Sequence, residues 1–161
     1  MHVLYSASLS GSLLFHKEIC EIMFDNNKCK YFMLIKLEFT MKKQVITVKN
    51  VSIAIIHSED IIISDVQSAL DLIATVSFVD KCHRIILNKE AIIEDFFILS
   101  TNLAGEVLQK FSNYHLKLAI IGDFSSYTSK SLRDFMYECN RGNSIFFVSS
   151  EEESIEKLTK V

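Results

Sequence analysis

From Gln44 onward, apolar and polar positions alternate with a period that switches between two and 3.6, so the chain predicts strands and helices in turn. Gln44 to Lys49 and Val51 to His57 read as strands meeting at Lys49-Asn50, a pair suited to a hairpin turn. Ser64 with Gln67 predicts a capping box, and Val66, Leu70, Ile73 and Ala74 share one face of a helix running to about Phe78. Arg84 to Leu87 is a short apolar strand, and Asn88 to Ser100 is partly irregular. A second helix carries the stripe Leu103, Ala104, Val107, Leu108 and Phe111. Leu116 to Ile121 is the next strand. The helix after it turns Leu132, Phe135, Met136 and Cys139 inward and stops at Arg141-Gly142-Asn143. Ser144 to Val148 is the last strand, and Ser150 with Glu153 forms a capping box for the last helix.

Continuous apolar runs such as LAII and IFFV imply strands covered on both faces. Alternating with helices, they predict an α/β fold: a mixed, mostly parallel sheet of roughly five strands, opened by the hairpin and joined by right-handed crossovers. Residues 1–40 keep neither period and look foreign to this pattern, which reads as a poorly ordered extension before one α/β domain over 41–161. MKKQVITVKN resembles a bacterial protein start, and Leu37-Glu38 can be encoded with a ribosome-binding GGAG upstream of Met41. Met41 is therefore the expected native initiator, with residues 1–40 a mis-assigned leader.

Composition narrows the function without naming it. With 49% hydrophobic and 23% charged residues over 161 positions, the chain has the balance of a soluble globular domain. Its net charge of −3 comes from interspersed acids and bases, so no basic stripe marks it for nucleic acid. No apolar run reaches the roughly 18 residues of a membrane span, and Met1 to Phe15 lacks a signal-peptide pattern. Cys20, Cys29, Cys82 and Cys139 show neither CxxC pairing nor matching histidine spacing. Reduced thiols in a cytoplasmic protein, with no structural metal and no cofactor, are the expectation.

The richest chemistry lies after the strand ending at Ile121. Asp123 follows it, Ser125, Tyr127, Thr128 and Ser129 crowd the loop, and Lys130 opens the next helix. Loops leaving the carboxyl ends of strands line the crevices of open α/β sheets, and a helix start there aims N–H groups inward. The hydroxyls, Lys130 and the helix start suit an anion, whereas Asp123 would repel one. The plainer reading makes the hydroxyls caps and Asp123 a turn former. Asn88, Lys89, Glu90, Glu94 and Asp95 form a second loop on the same side, where paired carboxylates can divide acid and base work or form a solvated rim. Gly105 interrupts a helix stripe, and close helix-on-strand packing is the expected reason. Cys82-His83 precedes its strand and belongs at the opposite edge. Phe96-Phe97 and Phe146-Phe147 read as core.

The segments IIISDVQSALDLIATV, RIILNKEAIIEDFF, LAGEVLQKF, LAIIGDFSSYTSKSLRDFMYECNRG and IFFVSSEEE together resemble the bacterial domain-of-unknown-function family 4180, over Met41 to Lys160. The resemblance implies a domain boundary and a fold, and no reaction. The order of hairpin and repeated strand–helix units is also similar to STAS domains of sulfate transporters and anti-sigma-factor antagonists. Those antagonists carry a phosphorylatable serine in a short acidic motif. The matching place here, Glu94 to Thr101, is interrupted by Phe96 and Phe97, which speaks against a phospho-switch at Ser100 or Thr101.

With no activated nucleophile in view, the expected function is a small cytoplasmic regulatory or binding module without catalytic residues, taking a small ligand or a protein partner. Its surface would include Asn88, Glu94, Asp95, Asp123, Ser125, Tyr127, Thr128, Ser129 and Lys130. The alternative is a small hydrolase or transferase acting on an anionic substrate, with Asp95 or Asp123 as base and the Thr128 to Ser131 helix start holding the anion. An exposed edge strand near the hairpin makes a homodimer a candidate assembly.

Overall fold

A computed structural model describes residues 42–160, so the expectations for residues 1–40 and for Met41 as initiator lie outside the described residues. β1 (Lys42–Val48) and β2 (Val51–His57) form the antiparallel hairpin, with Val48 opposite Val51. Lys49 and Asn50 have φ of 51° and 63°. Two left-handed residues make the turn whose twist matches that of the flanking strands.

β3 (Arg84–Asn88), β4 (Lys117–Ile121) and β5 (Ile145–Val148) add in parallel, giving the mixed five-stranded sheet in sequential order β1-β2-β3-β4-β5. Three helices fill the crossovers: α1 (Val66–Ala74), α2 (Leu103–Asn113) and α3 (Lys130–Arg141). Crossovers that all step in one direction with one hand must all lie on one face. Accordingly Leu72, Val107, Phe111 and Leu132 join one core with Ala54, Ile56, Leu87, Ile120 and Phe147. α4 (Glu151–Thr159) follows β5 and crosses to the opposite face of the sheet. Its Leu158 and Ile155 pack in a second core with Ile53, Ile55, Ile86, Ala119 and Phe146, the alternate residues of the same strands. β5 is thereby buried at all four positions. Among the described residues, no helix is long and apolar enough to cross a membrane.

The structure corrects several local expectations. The first helix is capped by Asp65 rather than Ser64: its carboxylate accepts from Ser68 N–H at 2.8 Å, and the Ser68 hydroxyl accepts from Asp65 N–H at 3.0 Å. The inward stripe of α1 is Ala69, Leu72, Ile73 and Val76, at regular helical spacing, and Ala74 is exposed; the helix widens into a π-turn over Thr75–Val79. Phe78, within the widened turn, is 79% exposed. The turn delivers Asp80 to β1, where Lys43 Nζ donates to it at 2.8 Å in a largely buried ion pair. Cys82 is fully buried at the amino end of β3, and burial raises its thiol pKa.

Gly105 is a further correction. A Cβ built there meets nothing within 4 Å, so close packing is not what places a glycine in α2. Gly105→Ala is expected to stabilise the fold by about 1 kcal/mol, through a less costly helix backbone. A urea melt with an unchanged or lower midpoint would contradict this.

Side-chain amides supply strand-like bonds at two places in the parallel part of the sheet. Asn140 of α3 donates to Phe147 C=O at 2.9 Å and accepts from Phe147 N–H at 2.7 Å, acting as a one-residue strand along the edge of β5. Asn88 likewise donates to Ser58 C=O at 2.8 Å and accepts from Ser58 N–H at 2.9 Å, beyond the end of β2.

Candidate functional site

The parallel register sets Asn88 beside Ile121, and Ile121 beside Val148. The chain therefore leaves β3, β4 and β5 at neighbouring points on one rim. The β3 and β4 loops meet there, as their order along the chain suggested, and what joins them is tethering. Lys89 Cβ lies 2.7 Å from the place a Cβ on Gly122 would occupy, an approach only glycine allows. Lys89 Nζ reaches the Asp123 carbonyl at 3.4 Å and sits 5.2 Å from the centre of the Tyr127 ring. The Tyr127 hydroxyl donates to Glu94 at 3.0 Å, and its ring packs with Phe97 and Phe124 at centroid distances of 5.2 and 6.4 Å. Burial, reinforced by Glu94, lifts the phenol well above its usual range, so Tyr127 remains a neutral hydrogen-bond donor.

The other residues singled out in the sequence serve local structure. Asn88 spends its amide on Ser58 and also donates to Glu90 at 3.0 Å. Asp123 accepts from Ser125 N–H at 2.8 Å, and Ser125, through its hydroxyl and its N–H, holds the carboxyl below its ordinary range. Ser129 caps α3 by accepting from Leu132 N–H at 3.3 Å. Lys130 turns along its own helix to Asp134 at 2.6 Å, both side chains well exposed. Asp95 and Thr128 are exposed.

The concavity on this rim lies one strand further along. After β4 the chain rises to α3 on one face, whereas after β5 it passes to α4 on the other, and the two exits part. Such a parting of connections is where open α/β sheets seat ligands. An open cleft of about 440 Å³ occupies the gap. Gly122, Asp123 and Phe124 line one lip, and Phe147, Val148, Ser149 and Glu153 the other. Ser149 donates to Glu153 through its N–H at 3.3 Å and its hydroxyl at 3.4 Å, while Ser150 caps α4 by accepting from Glu153 N–H at 3.2 Å. The expected capping box thus has its reciprocal arm on Ser149 instead of Ser150.

Of the site residues proposed from sequence, Asp123 alone lines this cleft; the remaining eight lie outside its lining. Ser149 and Glu153 were missed as site residues. A signal existed in IFFV: a strand apolar at every position needs cover on both faces, which obliges the capped helix after it to cross to the face the other helices leave bare. Among the described residues, no group of three or more His, Cys, Asp or Glu is arranged to hold a metal ion.

No curated protein and no solved structure matches the chain. The family model described as Domain of unknown function (DUF4180) matches residues 48–158, from the hairpin turn through α4 and well over half of the chain. The chain therefore belongs to the DUF4180 family, whose segments the sequence already resembled.

Proposed function

We propose that this protein is a small binding module that works without chemistry of its own, with its ligand seated in the cleft between the exits of β4 and β5. The observation that carries this reading is the parting of α3 and α4 to opposite faces, which leaves a concave, partly apolar gap at the carboxyl rim of the sheet. The polar groups on the two lips are held by their own loops: Asp123 by Ser125, and Glu153 by Ser149. Pre-set groups of this kind suit recognition, since little ordering is left to be done on binding. A regulatory, cytoplasmic role fits a module of this size and order of elements, by analogy with STAS domains.

The hydrolase or transferase reading draws less support. Its anion-holding helix start has Ser129 engaged as a cap and Lys130 paired with Asp134, and its proposed base Asp123 is kept a weak base by Ser125. Filling the cleft tests the binding reading. In a thermal-shift screen across nucleotides, phosphates, amines and divalent ions, at least one ligand should raise the melting temperature of the wild-type protein, and Ser149→Trp should remove that rise. A rise that survives Ser149→Trp places binding elsewhere and overturns the reading.

A further inference from the structure

Resting on the cleft reading, the chemistry of the lining points to a ligand class: we propose that the cleft takes a small organic cation, an ammonium or guanidinium head on a short apolar body. Three observations converge. The cleft's polar side chains are Asp123, Glu153 and Ser149, two carboxylates and a hydroxyl, and no Lys, Arg or His is among its lining residues. Phe124 and Phe147 are among its lining residues, their rings packed edge to face with centroids 5.6 Å apart, Phe124 partly exposed and Phe147 buried. Lys89, the cation that touches the β4 loop, is engaged with the Asp123 carbonyl and the Tyr127 ring and does not line the cleft.

Each part selects for a cation. Asp123 accepts from Ser125, and Glu153 accepts from Ser149 through Oε2, while Glu153 Oε1 makes no hydrogen bond within the described residues. A donor-rich, positively charged head satisfies such oxygens with charge-assisted hydrogen bonds. The partly exposed ring of Phe124 attracts the same head through its quadrupole and accepts the apolar body beside it. An anion meets the reverse at every point: two like charges, and a lip without a basic side chain. Hydrogen bonding to Ser125 keeps Asp123 ionised well into acid, so the negative lip persists across physiological pH. The anion considered from the loop's hydroxyls and Lys130 would have to bind outside this cleft, since Lys130 turns to Asp134.

A matched set of probes isolates head-group charge from apolar contact: butylguanidinium chloride, sodium butyrate and butanol, with calcium chloride as a fourth arm. Each is titrated into the full chain and read by the backbone amide signals of Gly122, Asp123, Phe124 and Ser149. Butylguanidinium should shift these signals with an apparent affinity at least ten-fold above butyrate and butanol. Asp123→Asn with Glu153→Gln keeps each hydrogen-bond acceptor and removes both charges, and should bring the three organic probes to within about two-fold of one another. The same spectra show that the variant is folded. Butyrate or calcium binding the cleft more tightly than butylguanidinium overturns the ligand class while leaving the cleft reading in place. Signals at the cleft that no probe moves overturn both.

Discussion

Lys43→Met is expected to lower the free energy of unfolding by about 3–5 kcal/mol, the largest loss from any single exchange considered for this fold. Lys43 Nζ lies 2.8 Å from Asp80 Oδ1, and the two side chains are only 18% and 9% exposed. The other carboxylate oxygen, Asp80 Oδ2, is buried without a hydrogen-bond partner among the described residues, as is Ser77 Oγ in the π-turn beside it. Lys43 is therefore the group that compensates a buried carboxylate, and removing it leaves that charge without a partner among the described residues. The net worth of the pair is a separate matter, because both charges gave up water to form it. Replacing both partners, Lys43→Met with Asp80→Leu, should recover most of the loss. Urea denaturation of the two single variants and the double completes the cycle. A double variant as unstable as Lys43→Met alone would show that the lost stability comes from packing of the lysine stem and not from the stranded charge.

Gly122→Ala is expected to cost about 2 kcal/mol and to distort the cleft as well, because Gly122 is one of its lining residues. The added methyl would sit 2.7 Å from Lys89 Cβ and 3.2 Å from its Cδ. The Cδ can swing aside, but the Cβ is fixed to the backbone, so the β3 and β4 exits must separate. This mechanism makes an unusual distinction between two exchanges at Lys89. Lys89→Ala retains the obstructing Cβ and should not rescue Gly122→Ala, whereas Lys89→Gly removes it and should restore the native amide signals of Asp123 and Phe124. Equal rescue by both would place the obstruction in the outer part of the lysine and refute the argument from backbone approach.

The sheet was legible in the sequence because β2 to β5 are announced by apolar runs such as VSIAIIH, LAII and IFFV, which burial explains, and β1 by alternation. The hairpin was equally plain, since Lys49-Asn50 sits between two alternating strands and adopts the left-handed pair such a turn requires. Local competition accounts for the errors. Ser64 and Asp65 are both good caps, and the choice is made by the Ser68 hydroxyl reaching Asp65 N–H, a reciprocal bond that the residue types leave open. Ala74 is exposed because the inward face of α1 carries Ala69, Leu72, Ile73 and Val76 at regular helical spacing, a stripe that shares only Ile73 with the expected one. Gly105 shows how a residue that usually signals close packing can stand in open space.

The site was half legible. Loops after β3 and β4 were correctly set side by side, because consecutive strands in a sheet tend to be neighbours. Their polar residues, however, are mostly absorbed by caps, turns and tethers, as hydroxyls and amides near helix starts commonly are. The cleft depends on which face α4 occupies, and that is decided by the bare side of a sheet assembled from residues far apart in sequence. Glu153 accordingly read as a cap residue, which it is, and its second role at the lip came from tertiary structure.

The unbroken strand order β1-β2-β3-β4-β5 has a consequence for synthesis on the ribosome. Each new strand finds its partner already in place as the most recently made one, so the sheet can lengthen in step with translation without waiting for distant segments. The growing margin stays unpaired only until the next strand emerges. When β5 closes the series, Asn140 is already in hand to occupy its outer Phe147 backbone groups, so the last margin is blunted as soon as it forms.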